Sequence, residues 1–322
     1  MSGASGRAIA HVGVLEVLRE NNIPIDYITA CSSATFIAAA FACGTMEDFK
    51  RWMLKLDKQG VLELLKFDRG GGGLFSLASA KTELDKFTLG KNFEEVKPNL
   101  NFVACDLNTG ESVSLGLGDI SSAALASCGV PGLFTPRKWG DKVIVDGGLL
   151  SLVPVEEAYK MGADAVIGVD IAATRHLFYK EYIYARRGYL FLRSSPPGKI
   201  VSWFLGLFSR LYENSVKIIF YSQSDFLAAR EPENMPSLFS SLGKALDIAN
   251  RTYDSVNPPR CEVMISPKVK KYGRMNFARQ KKVYNEGRRA ALAALPEIEK
   301  LLMRKKLRRR QNSALPGEAP NT

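Results

Sequence analysis

The residues best placed to do chemistry are Ser32 and Asp146, each set among small neighbours. Ser32 lies in Ala30-Cys31-Ser32-Ser33-Ala34, directly after the β-prone run 27–29 and directly before an alanine-rich apolar segment. A serine on a tight strand-to-helix turn has its hydroxyl pushed outward, and the positions two before and two after it must be small. Here those positions are Ala30 and Ala34, small but each carrying a Cβ. A helix start leaves the Ser33 N–H without an intrahelical partner, where it could face a developing oxyanion. A serine helix cap accounts for the same letters without any chemistry. Asp146 heads Asp146-Gly147-Gly148 at the end of the strand-like run 142–146. The glycines let a neighbouring backbone approach closely. An ordinary Asp-Gly turn is the plainer reading.

A serine hydroxyl is a weak nucleophile until a base takes its proton. Two histidines are present, His11 and His176. Ser32, Asp146 and His176 follow the chain order of an α/β-hydrolase, but that fold sets several strands ahead of its nucleophile and only 31 residues precede Ser32. His11 falls inside the first predicted helix, where capping or packing is the simpler role. The simplest remaining scheme is a dyad in which the Asp146 carboxylate is the base, one that calls for no metal and no cofactor.

The elements that must position these residues alternate. Residues 2–8, with Gly3, Ala4, Ser5, Gly6 and Arg7, form a small-residue loop before a helix over 8–21, whose apolar positions Val12, Leu15 and Leu18 recur at helical spacing. Such a loop exposes backbone N–H groups suited to an anion or oxyanion. The Lys-Ser/Thr pair of a phosphate-binding loop is missing. Helices are expected over 47–67, 79–87, 120–127, 155–161 and 280–294, strands over 100–106, 111–115, 142–146, 165–170 and 262–267, and a flexible loop over 69–75. Strands and helices alternating through residue 170 argue a layered α/β fold. Residues 175–226 change character, with many aromatics and interleaved Arg and Lys. Within them, 199–212 has Trp203, Phe204, Leu207, Phe208 and Leu211 near one helical face, the pattern of a membrane-interfacial helix.

The chain of 322 residues is 46% hydrophobic, enough for a full core, and carries a formal net charge of +11. That charge suits an anionic partner. The basic run 300–310 has no nucleic-acid recognition motif beside it, so an anionic membrane surface is expected rather than nucleic acid. Five scattered cysteines read as reduced thiols, not as a disulfide frame or metal site. No secretory leader and no run long enough to span a bilayer is legible, which predicts a cytoplasmic protein that touches membranes peripherally.

Taken together, the loop running into Ala10-His-Val-Gly-Val-Leu15, the stretch Ile25-Asp-Tyr-Ile, the Ser32 turn, Ser127-Cys-Gly-Val-Pro-Gly132 and Asp146-Gly147-Gly148 with Val153-Pro154 resemble the patatin-like phospholipases. The match is similar to the bacterial branch akin to neuropathy target esterase. The resemblance covers residues 2–170, with a weaker echo through 245–253 and 265–287. It implies a three-layer α/β/α fold with a mainly parallel sheet, and a Ser–Asp dyad that cleaves phospholipid or lysophospholipid acyl esters through an acyl-enzyme. It makes Ser32 the nucleophile and Asp146 the base. Residues 3–8 and Ser33 supply oxyanion donors, and Arg7 matches the family's basic residue. The turn departs from Gly-x-Ser-x-Gly through Ala30, Cys31 and Ala34, and the loop lacks the family's three glycines. The family's first strand is missing, so the expectation is a native chain that starts upstream of Met1 with a short Val/Ile/Leu-rich run. The implied organisation is a catalytic core over 1–174, an aromatic and basic insertion over 175–230, the rest of the core over 231–300 and a basic, disordered tail over 301–322. The alternative is a weak or inactive domain of this family that binds membrane or acyl chains.

Overall fold

Two apolar runs carry the sheet. Tyr27–Cys31 (β1) and Asn99–Asp106 (β4) pair in parallel, with Ala30 opposite Phe102 and Cys31 opposite Val103. The computed structural model describes residues 1–68, 73–172, 260–273 and 276–314, all within a unit formed by Met1–Ala173 and Leu246–Thr322. The stretch 199–212 and His176 lie outside the described residues.

Beyond β1, β4 has two further partners. Ser112–Leu115 (β5) folds back on it after a turn in which Gly110 donates to Asp106 O. Lys142–Asp146 (β8) also runs antiparallel to it, with Asp146 opposite Ala104, and Arg137–Trp139 (β7) pairs with β8. Since β5 overlaps both β1 and β8 along β4, it must hold one edge while β1 and then β8 share the other. Separately, Ile167–Val169 (β9) pairs in parallel with Val263–Ile265 (β10). A third small sheet joins Lys66–Phe67 (β2), Gly73–Ser76 (β3) and Gly132–Phe134 (β6). The described strands therefore pair in both senses, not mainly in parallel. Short turns such as Gly140, at φ +62°, can only fold a strand back antiparallel.

Helices cover both faces. Thr29 turns its hydroxyl to Pro154 O at 2.8 Å, toward the helix Val155–Lys160 (α7). Ile28 and Ala30 point the other way, into the main core shared with Ile9–Glu20 (α1), Ala34–Ala42 (α2), Met46–Lys55 (α3), Ala78–Thr88 (α5) and Ile120–Ser127 (α6). A smaller core of Leu152, Val153, Val155, Ala158, Val166 and Ala172 lies with α7. The expected helix over 47–67 is broken: Lys58–Leu64 (α4) starts afresh at Asp57, whose carboxylate accepts from the Gly60 N–H at 2.8 Å, and β2 follows. Where the sequence suggested a loop, β3 pairs through Gly73 and Phe75 with β6.

The last helix, Gln280–Ala314 (α8), runs past residue 294 and takes in residues read as tail. Ala291, Leu295, Ile298 and Leu302 recur at helical spacing and pack on the main core, which carries the helix through Pro296. It lies along α1, where Glu16 accepts from Lys50 at 2.7 Å and from Arg288 at 3.2 Å, with Tyr284 bonded to the same carboxylate.

Candidate active site

β4 explains why Ser32 and Asp146 meet. Cys31 stands opposite Val103 and Asp146 opposite the next residue, Ala104, on the same edge of that strand. Ser32 follows Cys31 at φ +53°, the left-handed region, which turns the chain sharply out of β1 and into α2. Its hydroxyl then donates to Asp146 Oδ2 at 2.7 Å. The cap of α2 is Ser33, and the Ser32 side chain caps nothing. The Asp-Gly turn is real as well: the other oxygen, Oδ1, accepts from Gly148 N–H at 2.8 Å. One carboxylate thus makes the turn with one oxygen and holds the serine with the other. Gly147 lets this happen, because a Cβ there would lie 2.2 Å from Val103 O.

The loop closes over the turn from the other side. A Cβ on Gly3 would lie 2.4 Å from Ser32 Cβ, so only glycine lets the loop touch the serine. Ala4 donates its N–H to Ser33 Oγ at 3.2 Å, which couples the loop to the turn but removes Ala4 as an oxyanion donor. The N–H groups of Gly3 and Ser33 are not engaged by other described residues. Ser5 to Ala8 form a short 3-10 turn, with Ser5 at φ +51°, that leads into α1. Gly6 O accepts from Gln280 Nε2 at 3.1 Å. Arg7 is buried, and its guanidinium reaches the carbonyls of Tyr272 at 2.7 Å, Lys270 at 3.1 Å and Ala172 at 3.5 Å. It clamps the loop to the segment 270–272 rather than facing a substrate oxygen.

Ser127, whose role the sequence does not reveal, bridges two parts of this site. Its hydroxyl donates to Val103 O at 2.6 Å and accepts from Ser32 N–H at 2.9 Å. The serine amide is therefore anchored to β4 through one buried side chain. Gln280 is the second such residue, reaching the loop from the far end of the sequence.

His11 is fully buried, with Nε2 2.8 Å from Ser2 O, and burial lowers its pKa to about 3. It stays neutral and packed, away from the serine. Burial, and then the negative charge of Asp146, push the Cys31 and Cys128 thiols well above their ordinary range, so neither is a thiolate nucleophile. Cys31 Sγ lies 3.9 Å from Asp146 Oδ1. All five cysteines are free, and among the described residues no three metal-ligating side chains cluster. Chemically, the arrangement offers a serine hydroxyl held by a carboxylate, beside backbone N–H groups, with small residues all round.

Residues 1–159 match the family model described as patatin-like phospholipase. An uncharacterized NTE family protein of Mycobacterium tuberculosis, Rv2565, is 28% identical over 305 residues, which is 92% of this chain and 46% of that protein. Another from the same organism, Rv1063c, is 26% identical over 171 residues, 53% of this chain and 48% of its own. Lysophospholipase NTE1 of Debaryomyces hansenii is 26% identical over 190 residues, 54% of this chain and 12% of its own length. The chain spans about half the length of the mycobacterial relatives it matches. Among solved structures, VipD from Legionella pneumophila aligns over 91% of this chain and 66% of its own, at 14% identity with a TM-score of 0.40, too low to carry an inference.

Proposed function

We propose that this chain, whose residues 1–159 match the patatin-like phospholipase model and which is similar to NTE family proteins, is a serine carboxylic ester hydrolase of phospholipase A or lysophospholipase type. The observation that carries the reading is the Ser32 hydroxyl donating to Asp146 Oδ2 at 2.7 Å.

In this mechanism Asp146 Oδ2 takes the Ser32 proton as Oγ attacks the ester carbonyl carbon. The carbonyl oxygen becomes an oxyanion, received by the N–H groups of Gly3 and Ser33. Collapse breaks the acyl–oxygen bond, and the departing alcohol of the lipid takes the proton from Asp146. The acyl group is left as an ester on Ser32. Water then attacks that ester while Asp146 accepts its proton, and the proton returns to Ser32 as the fatty acid leaves. Left-handed Ser32, Gly3 against its Cβ and Ser127 on its amide hold the nucleophile in place through this cycle.

The substrate in this reading is a phospholipid or lysophospholipid, presented at an anionic membrane surface that the net charge of +11 favours. No helix among the described residues is long and apolar enough to cross a membrane. The test is fatty-acid release from lysophosphatidylcholine by the purified chain. Release that disappears in Ser32→Ala is expected. Equal release by Ser32→Ala and the unaltered chain would overturn the reading.

A further inference from the structure

Two cations share one face of the β7–β8 hairpin. Arg137 stands opposite Ile144 and Trp139 opposite Lys142, so alternation brings Arg137, Trp139, Lys142, Ile144 and Asp146 to the same side of the sheet. Trp139 and Ile144 pack there with the main core. Lys142 is paired on that side, with Asp106 Oδ2 at 3.6 Å. Lys138 lies on the other side and is exposed. Arg137 is half-buried, yet among the described residues it has no hydrogen bond and no ion pair.

This arginine lies beside the nucleophile. Asp146 is its diagonal neighbour across the hairpin, and such neighbours stand about 7–8 Å apart, within reach of a long side chain. The Cys128 thiol, at the end of α6, lies among the same groups, with Thr35 Oγ1 at 3.9 Å from its Sγ. Burial and the Asp146 charge push that thiol up, while Thr35, the Ser32 hydroxyl and the Arg137 charge pull it down. Burial also lowers the pKa of the Arg137 guanidinium itself. A charge stripped of part of its water is costly until an anion meets it. Arg7 differs, because its guanidinium is spent on the carbonyls of Ala172, Lys270 and Tyr272.

We propose that Arg137 is the cation of a phosphodiester subsite beside Ser32, where its guanidinium takes the headgroup phosphate of a phospholipid or lysophospholipid while the acyl ester lies at the Ser32 hydroxyl. The planar fork of a guanidinium suits two oxygens of one phosphate. In these lipids a single glycerol unit joins the phosphate to the acyl ester, a short link that matches neighbouring positions on one hairpin face. Both Asp146 oxygens are engaged, by Ser32 and by Gly148, so the carboxylate does not close on Arg137. The place of the ester rests on the hydrolase reading, whereas the anion site does not.

The test compares lysophosphatidylcholine with a monoacylglycerol of the same acyl chain, both in neutral detergent micelles, since only the first carries the phosphate. In Arg137→Gln the ratio of kcat/KM for lysophosphatidylcholine to that for monoacylglycerol should fall at least about tenfold, through KM, and Arg137→Lys should restore part of it. An unchanged ratio, with both substrates impaired equally or neither impaired, overturns the subsite. A second arm reads binding of short-chain lysophosphatidylcholine to the Ser32→Ala chain by calorimetry. Adding Arg137→Gln should raise Kd at least about tenfold, and no rise overturns the proposal. Inorganic phosphate that displaces this lipid at equal concentration would make the site one for free phosphate and overturn the headgroup assignment. If the unaltered chain cleaves neither substrate but the difference in Kd appears, the subsite stands and the hydrolase reading falls.

Discussion

The two sides of β1 are built differently. Toward β4, its carbonyls and amides are paired along the strand, and its end delivers Ser32 onto Asp146 at 2.7 Å. Toward β9 it faces a cavity bridged by a single rung from Met1 and Ser2. Ser32 is thus fixed from the sheet side by paired strands, while the loop 3–8 is held by separate contacts, Met1 and Ser2 at its start, Ala4 on Ser33, Gln280 on Gly6 and Arg7 on the carbonyls of 270 and 272. The position of the serine and the position of the loop therefore rest on different contacts, and each can be disturbed alone.

The most damaging disturbance is expected on the paired side. Asp146→Asn keeps the shape of the turn but removes the base, and fatty-acid release should fall at least about a thousandfold, while His176→Ala leaves most of it. The thermal midpoint of Asp146→Asn should show that the fold survives. If His176→Ala is as damaging as Ser32→Ala while Asp146→Asn is mild, the base is not Asp146. Next is the seam between the two sides. Gly3→Ala brings a Cβ to 2.4 Å from Ser32 Cβ, so loop or serine must shift, and the expected loss is about a hundredfold in kcat. A normal kcat would mean the loop is free to move without consequence.

A smaller effect belongs to Ser127. Ser127→Ala leaves the Ser32 N–H without its 2.9 Å acceptor and Val103 O without its 2.6 Å donor, at about 1–3 kcal/mol for a buried unpaired group. A loss of about tenfold in kcat with KM unchanged is expected, partly restored by Ser127→Thr; an equal fall in stability with no change in kcat would make Ser127 merely structural.

The open side should reveal itself through pH. The Met1 amine is lowered from 8.0 to about 6, so between those values the unfolded chain holds a proton that the folded chain lacks. Stability of the 322-residue form should therefore rise by about 1 kcal/mol per pH unit from about 6 to 8, then level off. The corresponding window for His11 lies lower, from about 3 to 6.5. Denaturant melts across pH check this, and a chain extended ahead of Met1 should lose the upper slope. A flat profile from 6 to 8 in the unextended form would mean that the amine is solvated.

Much of the paired side was legible. A serine among alanines at a strand-to-helix boundary is a local pattern, and Asp-Gly-Gly is another. Their meeting depends on Val103 and Ala104 being neighbours on β4, a long-range register that no local spacing encodes. Ser127 stood within a recognised segment, yet nothing in its letters points at the Ser32 amide. Arg7 was placed with the loop through its match to the family's basic residue; its burial against three carbonyls comes from segments more than 160 residues away. The break in the helix over 47–67 was available in Asp57, a good helix cap, but the apolar spacing on either side masked it. The pairing of Met1 with Thr29 and Cys31, and of Ser2 with Val169, emerges only when β1 and β9 are seen together.

Covalent labelling of Ser32 tests the central claim most directly. The purified chain is treated with a fluorophosphonate, and the modified residue is located by peptide mass spectrometry in the unaltered chain, Ser32→Ala and Asp146→Asn. The expected result is one phosphonylated residue, Ser32, with labelling abolished in Ser32→Ala and slowed at least about a hundredfold in Asp146→Asn. Labelling at another residue, no labelling of the unaltered chain, or an undiminished rate in Asp146→Asn would contradict a serine activated by Asp146.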